Sequence, residues 1–488
     1  MVAAIAVRGP AGETPEPRGG RGAAVVIDPS IAAVIGNAGR PCGIPAPVMP
    51  PAALPGNVGL VAGLQTVIGS MRRGVAYVCA QRERYGDLYR GTFLDHDMVF
   101  VWDADEIHKA LRNESGAWST GMGWDALAFQ GLDDSRANSG SLLALDFEDH
   151  RAARALVQPA FTMRAVQGYL DSAQHAFDTA VPTWVGRGRV RFKRNVRTLL
   201  AGVANQIFTG IADPGRIALI DRALADFWRG MLAFSRRSWL SPTFRRGRRG
   251  YAALRQLFMT LARERRSSPG ADLFTHMVCS ADPEQHDAIV RVFLTIMFGA
   301  FDTTSAAITS MAYLLAKHPV WQDRVRREAL AVSGVLDPGA LRSLKELEWV
   351  WKEALRLMPV SGFVPRRALR AVEVGGVTLP AGTFAGIMQG AIGRHPRWWT
   401  APDRFDPERF SPQRAEDKQH PALQMPFGAG AHACIGNQLA TFEMKLLFHK
   451  LLTSCRFTLA KDYEARHTFT PMGCVSGNVD LRLEPLGS

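Results

Sequence analysis

The chain has 488 residues, of which 47% are hydrophobic, so it can bury a large core as two or three average domains or as one large fold. Its six cysteines stand far apart in no paired spacing, which argues against a disulfide framework or a zinc ribbon and favours a reducing, cytoplasmic compartment. The formal charge of +13 suits acidic partners, but no nucleic-acid-binding motif accompanies the densest basic run, residues 244–250, where we expect a solvated helix start and no nucleic acid.

The N-terminal part of the chain is predicted to be irregular. Residues 1–45 are rich in Ala, Gly, Pro and Arg without apolar periodicity, so we expect a disordered tail there and a single domain over residues 46–488. Residues 41–70 carry no charge, but prolines interrupt them, and the first residues lack the apolar stretch of a signal peptide. We therefore expect no transmembrane segment.

Hydrophobic patterning beyond residue 69 predicts a mainly α-helical chain with a smaller β-rich lobe. Residues 114–140 lack periodicity and contain scattered aromatic side chains, and we interpret them as a long loop that forms a wall of a substrate site. The predicted helices span residues 70–85, 103–113, 146–161, 163–181, 196–211, 214–233, 248–265, 283–317, 318–332, 344–357 and 437–451. The predicted strands span residues 88–93, 98–101, 372–377 and 383–388.

Two of these helices carry polar pairs on one face. His150 and Arg154 are four residues apart, and Glu353 and Arg356 are three residues apart. Such pairs are common on solvated helix surfaces, so neither pair by itself indicates a functional site.

The longest predicted helix, residues 283–317, has an unusual centre. Asp302 is followed by Thr303 and Thr304, and these side chains compete for backbone groups in a helix interior. A buried aspartate is costly unless it is paired. Two interpretations remain open: Asp302 turns to a partner on another helix, or the helix is kinked over a reactive centre.

A lone cysteine lies just before the predicted helix 437–451. Residues 427–436 read Phe-Gly-Ala-Gly-Ala-His-Ala-Cys-Ile-Gly, which places Cys434 near a helix N-terminus, where a cysteine pKa is lowered and a thiolate can bind a metal. Gly430 and Gly436 would let the backbone approach a large flat ligand, and Phe427 would shield the sulfur from water. The alternative is a buried, unreactive core cysteine.

This segment resembles the cysteine-ligand loop of the cytochrome P-450 superfamily of haem-thiolate monooxygenases. The resemblance implies that Cys434 is the axial iron ligand of a haem b cofactor. It also implies that Phe427, Gly428, His432 and Gly436 contact the cofactor. His432 stands where most members have arginine, a substitution that some sterol-demethylating members share.

The resemblance extends to residues far from the cysteine. It implies that His150, Arg154 and Arg366 bind the haem propionates, since the planar guanidinium fork matches a carboxylate. It further implies that Asp302 and Thr303 form an oxygen-binding groove and deliver protons during oxygen activation.

A structural cluster is implied as well. Glu353 and Arg356, together with Arg409 in the segment 405–410, match residues that form a buried ionic triad holding the cysteine loop. Two departures from the family pattern are Ala300, where many members have a second glycine, and Gly393, which replaces a histidine and puts one haem-side contact in doubt.

The activity implied by the resemblance is insertion of one oxygen atom of O2 into a bulky hydrophobic substrate such as a sterol, terpenoid or lipid. The chain most resembles soluble bacterial members, with some likeness to the sterol-demethylase-related branch. The break at residues 235–242 resembles a lid over the substrate channel. The alternatives are a peroxide-using or isomerase-type haem-thiolate enzyme, and a haem- or ligand-binding protein without turnover.

Electrons are expected from separate proteins, a ferredoxin and a ferredoxin reductase or similar flavoprotein, because the sequence shows no fused flavin or iron–sulfur module. An acidic ferredoxin would be attracted by positive charge on the cysteine side of the protein. The residues expected to contribute to that charge are Arg151 and Lys445.

Overall fold

The computed structural model describes residues 46–129, 141–231, 233, 241–334, 336–460, 463–469 and 472–487. The predicted disordered tail, residues 1–45, lies outside these ranges. So do residues 130–140 of the predicted loop and residues 235–240 of the predicted lid.

Helices account for most of the described chain, which confirms the predicted fold class. They are α1 (Leu60–Arg73), α2 (Val75–Tyr85), α3 (Ala104–Arg112), α4 (Gly121–Trp124), α5 (Phe147–Val157), α6 (Met163–Gly186), α7 (Phe192–Thr209), α8 (Pro214–Met231), α9 (Pro242–Ser267), α10 (Leu273–Cys279), α11 (His286–Ala300), α12 (Asp302–Lys317), α13 (Pro319–Leu330), α14 (Pro338–Ser343), α15 (Lys345–Leu357) and α16 (Asn437–Ser454).

The strands of the described chain form sheets of two to five strands. They are β1 (Leu88–Phe93), β2 (His96–Val101), β3 (Trp118–Ser119), β4 (Arg189–Arg191), β5 (Val364–Ala368), β6 (Val372–Val374), β7 (Val377–Leu379), β8 (Phe384–Ile387), β9 (Cys455–Leu459), β10 (His467–Phe469), β11 (Gly473–Val475) and β12 (Asp480–Pro485). In the described chain β1-β2-β8-β5-β3 form the largest sheet, β4-β12-β9 a second, and β10-β11 and β6-β7 form pairs. Within the largest sheet β2 and β8 are parallel and the other neighbours antiparallel.

Capping side chains define the ends of α3 where the sequence predicts them. The Asp103 carboxylate accepts a hydrogen bond from the Glu106 backbone N–H at 3.0 Å, which satisfies a donor in the first turn. Asn113 ends the helix in the left-handed region, with φ of 51°. The predicted helix 103–113 is therefore confirmed.

Glycines divide two elements that the sequence predicts as continuous. In place of one helix over residues 70–85, α1 and α2 meet at Gly74, whose φ is 51° and where a Cβ would lie 2.2 Å from the His467 carbonyl oxygen. In place of one strand over residues 372–377, β6 and β7 pair across Gly375 and Gly376, with φ of 54° and 77°. Positive φ at two consecutive residues produces the tight hairpin turn that glycine favours.

The first half of the predicted loop 114–140 forms regular secondary structure, which the sequence does not predict. It contains β3, α4 and a π-helical turn over Asp125–Phe129. The Asp146 carboxylate organises this segment: it accepts hydrogen bonds from the backbone N–H groups of Thr120 and Gly121 at 2.9 and 3.0 Å and from the Ser119 hydroxyl. The sequence pattern misses this because Asp146 is about 25 residues away along the chain.

The predicted central helix 283–317 is interrupted at Phe301, between α11 and α12, where φ is −121° and ψ is −29°. The Thr303 hydroxyl donates to the Gly299 carbonyl at 2.7 Å across this break. Residues 283–317 are apolar and long enough to cross a membrane, but 72% of their most apolar window is buried inside the protein, as a central core helix requires.

Candidate active site

A large cavity of about 1020 Å³ is lined both by α11 and α12 and by the cysteine segment 427–436. Its volume is at the upper end of the range for small-molecule sites in proteins. Among the residues that the sequence singled out, those lining the cavity are His150, Arg154, Thr303, Arg366, Phe427, Gly428, His432, Cys434 and Gly436. The structure thus brings together residues that are up to 286 positions apart, whereas Asp302, Glu353, Arg356 and Arg409 lie outside the lining.

Backbone hydrogen bonds and glycines shape the cysteine segment. The Cys434 N–H donates to the Phe427 carbonyl at 2.8 Å, and Gly428 has φ of 72°. Gly430 has φ of 69°, and a Cβ there would lie 2.5 Å from the Leu111 carbonyl oxygen of α3. The interpretation that Gly430 admits a flat ligand is therefore wrong: this glycine allows the segment to pack against α3.

The Cys434 thiol is open to the cavity although it lies deep in the protein. Burial raises the pKa of this thiol, and the backbone N–H groups of Gly436 and Asn437 and the charge of Arg154 oppose that rise only in part. The sequence predicts that the helix N-terminus lowers the pKa of Cys434, but burial outweighs that effect and the pKa is raised. A bound metal cation deprotonates a thiol directly, so the thiolate form here needs such a cation.

Two imidazole rings stack beside the cysteine segment. The rings of His150 on α5 and His432 lie with their centroids 3.8 Å apart and their planes 27° apart. Burial, aided by the charge of Arg154, lowers the pKa of His150 to about 4. Burial and neighbouring positive charges lower the pKa of His432 to about 2. Both rings are therefore neutral at pH 7 and can donate hydrogen bonds without adding charge.

Two guanidinium groups in the cavity wall, the buried Arg366 and the half-buried Arg154, lack a carboxylate within ion-pair distance. Arg154 donates to the Ala433 carbonyl at 2.8 Å, and Arg366 donates to the carbonyls of Ala110 and Pro365 at 3.4 and 2.9 Å. In the described part of the chain no carboxylate oxygen lies within 4.0 Å of either group. Burial lowers the pKa of Arg366 to about 10, which leaves it charged at pH 7. A charge buried without an adjacent counter-ion is costly, and Asp146 acts on Arg366 only from beyond 4.0 Å, so this cavity suits a ligand with anionic groups.

Comparison with known protein families identifies the kind of site that these residues form. A family model described as Cytochrome P450 matches residues 217–483, more than half of the chain. The chain belongs to the cytochrome P450 family. As a P450 monooxygenase it uses haem b, O2 and a small-molecule substrate. The open Cys434 thiol and the two unpaired arginines fit haem b, which has an iron to be ligated and two carboxylates to be neutralised.

Individual relatives agree with this assignment. A Mycobacterium tuberculosis protein named as cytochrome P450 136 is 33% identical over 356 residues, 70% of this chain and 72% of the relative. Cyclooctat-9-en-7-ol 5-monooxygenase of Streptomyces melanosporofaciens is 31% identical over 335 residues, 65% of this chain and 72% of the relative. The structure of a retinoic acid-bound cyanobacterial P450 covers 91% of this chain and all of its own with a TM-score of 0.78 at 22% identity, which shows the shared fold.

The acid–threonine pair of this P450 is divided between two environments. Thr303 lines the cavity together with Gly299 and Ala300. The Asp302 carboxylate instead accepts a hydrogen bond from Nε of Arg197 on α7 at 2.6 Å. Burial raises the pKa of Asp302, and Arg197 opposes that rise. In this structure Asp302 turns to a partner on another helix, one of the two interpretations left open by the sequence, while the break at Phe301 agrees with the other.

The three residues of the predicted ionic triad form a buried network. Nε and Nη2 of Arg356 donate to the two Glu353 carboxylate oxygens at 2.6 and 2.8 Å, and Nε of Arg409 donates to Glu353 at 3.2 Å. Sequence reasoning missed two further members. The Glu416 carboxylate accepts from Arg409 at 2.7 Å, and the Trp399 ring lies 5.1 and 5.9 Å from the guanidinium carbons of Arg356 and Arg409.

This triad holds a different segment from the one expected. Arg356 donates to the carbonyls of Gly393 and Pro402, each at 2.6 Å, and in the described chain no hydrogen bond joins the triad to residues 427–436. A Cβ at Gly393 would lie 2.8 Å from Cγ of Arg356, so glycine is required there by packing. The departure at Gly393 therefore accommodates Arg356.

Two charged residues of α16 differ from sequence expectation. Lys445 is buried and its ammonium donates to Glu348 at 2.9 Å, so the prediction that it belongs to a docking surface is wrong. Glu443, which sequence reasoning missed, is buried and lines the cavity, and the described chain offers it no hydrogen-bond partner. A signal was available, because Glu443 lies on the same helical face as Leu439 and Ala440, which also line the cavity.

We expect Glu443→Gln to stabilise the protein in a pH-dependent way. Burial raises the pKa of Glu443 from 4.5 to about 8, so the folded state retains a proton that the unfolded state loses as the pH rises between these values. In the wild type, the contribution of Glu443 to the free energy of unfolding therefore falls as the pH rises from 4.5 to about 8. The variant should match wild type at pH 4.5 and exceed its free energy of unfolding by about 3–5 kcal/mol at pH 8. Denaturant titrations at both pH values test this, and equal differences at both would contradict it.

Proposed function

We propose that Cys434 ligates the haem iron and that the protein hydroxylates a bulky, apolar substrate of terpenoid or sterol type. One observation carries the ligand assignment: an accessible thiol lies in the wall of a large cavity that also contains the half-buried Arg154 and the buried Arg366, neither of which has a carboxylate within ion-pair distance. A buried core cysteine would not be exposed to such a cavity.

The residues around the cavity divide the task of holding haem b. The Cys434 thiolate would bind the iron, and a Cβ at Gly436 would meet Cys434 Sγ and the Phe161 ring at 4.0 Å, an ordinary van der Waals distance. Arg154 and Arg366 would neutralise the propionates, and the neutral ring of His432 would donate a further hydrogen bond. When bound, haem supplies activation of O2, and a thiolate ligand favours cleavage of the O–O bond.

Proton supply is assigned to the break between α11 and α12. The Thr303 hydroxyl, which donates to the Gly299 carbonyl, can rotate to donate into the cavity. Asp302 would replenish that proton, and its carboxylate must first turn away from Arg197. Because the Thr303 hydroxyl is held by a backbone carbonyl at the cavity wall, this donor is positioned before substrate arrives.

We expect Thr303→Ala to retain haem and ligand binding but to divert electrons to hydrogen peroxide. Loss of the hydroxyl removes a donor in the cavity wall at the break between α11 and α12, and product formed per NADPH consumed should fall roughly tenfold or more. Thr304→Ala is the matched control, because the adjacent Thr304 also lines the cavity and donates to the Ala300 carbonyl. Coupling that is unchanged in Thr303→Ala, or equally reduced in both variants, would contradict the role of Thr303.

An apolar substrate is supported by the cavity wall and by a relative. The Trp228 ring of α8 stacks on the Phe298 ring of α11 at 3.7 Å, and both line the cavity with Met231 and Ile296. The relative from Streptomyces melanosporofaciens is named for oxygenation of cyclooctat-9-en-7-ol. A terpenoid is therefore our first choice, and sterols and long-chain lipids are the alternatives.

Electrons are proposed to come from a ferredoxin and its reductase. Arg151 on α5 is exposed and pairs with Glu148 at 2.6 Å, and it remains a candidate docking residue. The experiment is reconstitution with a ferredoxin, a reductase and NADPH after a ligand-shift screen of terpenoids, sterols and fatty acids. Hydroxylated terpenoid or sterol product supports the proposal. Product formed only with added peroxide, or a shift with fatty acids alone, would overturn it.

A further inference from the structure

Helix α1 presents an unusual concentration of exposed apolar side chains. Seven of the twelve large apolar residues that are exposed in the described chain lie between residues 48 and 71. Five of these are on α1, each 40–71% exposed: Leu60, Val61, Leu64, Ile68 and Met71. Large contiguous apolar patches are rare on protein surfaces and mark interaction sites.

These five residues, named here the α1 face, share one side of the helix because their spacing follows its period. The other side of α1 packs on the protein through small residues. A Cβ at Gly63 would lie 2.5 Å from the Leu94 carbonyl oxygen, and Ser70 is buried. In a typical surface helix the large apolar residues face the core. In α1 they face outward, and small residues face the protein.

The charges around the α1 face are asymmetric. Residues 41–71 contain no charged side chain, and the next two residues are the exposed Arg72 and Arg73. On α2 the exposed charges are Glu83 and Arg84. An apolar helix face bordered by arginines is characteristic of helices that lie in the interface of an anionic membrane.

We propose that the α1 face binds peripherally to the surface of an anionic lipid bilayer. With 14 residues, α1 is too short to span the hydrocarbon core, so it would lie in the interface with Arg72 and Arg73 at the headgroups. Ala62, Gln65 and Thr66 of the same helix line the cavity, and so do Ile68 of the α1 face and the two arginines, Arg72 and Arg73, so the α1 face borders the cavity. An apolar substrate dissolved in the bilayer would therefore reach the cavity beside α1, a consequence that rests on the proposed function, whereas lipid binding itself does not.

Flotation of the full-length haem-loaded protein with vesicles tests the proposal. Vesicles of phosphatidylcholine alone and of phosphatidylcholine with phosphatidylglycerol are compared at low and high salt. We expect at least ~tenfold tighter binding to the anionic vesicles at low salt, with the difference reduced at high salt. Leu60→Glu/Val61→Glu should weaken this binding at least ~tenfold, and Arg72→Gln/Arg73→Gln should weaken it roughly 25-fold on anionic vesicles only.

The matched control is Val320→Glu, because Val320 on α13 is 78% exposed and lies outside the α1 face. It should bind vesicles like wild type, and circular dichroism should show that all variants are folded. Absence of flotation, or equal flotation of Leu60→Glu/Val61→Glu and wild type, would overturn the proposal. A second result would also overturn it. If wild type sediments as a dimer, Leu60→Glu/Val61→Glu sediments as a monomer and neither binds vesicles, the α1 face binds a second copy of the chain. Substrate turnover is not measured, so failure of the proposed function would leave these results unaffected.

Discussion

Replacing Cys434 with serine is expected to remove the thiolate-type spectrum of the reduced, CO-bound protein and to abolish product formation. A serine hydroxyl is not ionised at pH 7 and cannot replace the electron donation of a thiolate to iron. We expect product formation to fall at least ~1,000-fold, equivalent to about 4 kcal/mol of activation free energy. The measurements are the CO difference spectrum and product formed with saturating redox partners.

Cys474→Ser is the matched control for this variant. Cys474 lies on β11, and its sulfur accepts a hydrogen bond from the Lys193 ammonium at 3.2 Å, which a serine hydroxyl can also accept. This variant should keep the spectrum and the activity. Thermal unfolding of both variants separates loss of the ligand from loss of the fold. A thiolate-type spectrum that persists in Cys434→Ser would refute the assignment.

The second large effect is expected from Glu353→Gln. This substitution neutralises the carboxylate between Arg356 and Arg409, all three side chains being buried. Removal of one partner from a buried ion pair leaves an uncompensated charge, and we expect the free energy of unfolding to fall by about 3–5 kcal/mol. The haem-bound fraction should fall with it, because a smaller folded population is left to bind the cofactor. Denaturant titration and haem content are the measurements.

An exposed ion pair provides the comparison. Glu148 pairs with Arg151 on the surface of α5, so Glu148→Gln should change the free energy of unfolding by less than about 1 kcal/mol. If Glu353→Gln destabilised the protein no more than Glu148→Gln, the buried network would contribute nothing special to stability.

The predictions that were confirmed depend on residues close together in the chain. The family is evident from residues 427–436 because ten consecutive positions carry the pattern. The bounds of α3 follow from Asp103 and Asn113 because a cap bonds to the adjacent turn. The mainly α-helical fold class follows from hydrophobic periodicity for the same local reason.

The predictions that failed concern contacts between distant segments. Gly430 is required by the Leu111 carbonyl of α3, more than 300 positions earlier, and the loop 114–140 is partly ordered by Asp146. The network around Arg409 includes Glu416 and Trp399, which no helical or strand period connects. A pattern within one segment contains no information about which other segment packs against it.

By itself, then, the sequence determined the P450 family, the fold class and the segment that carries the cysteine. Only the tertiary structure decided the directions of the charged side chains: Asp302 turns to Arg197, 105 positions away, and Lys445 is buried against Glu348, 97 positions away. The reason is physical. A buried charge must find a counter-charge to offset its desolvation, and which counter-charge is near depends on how the helices pack rather than on the neighbouring residues in the chain.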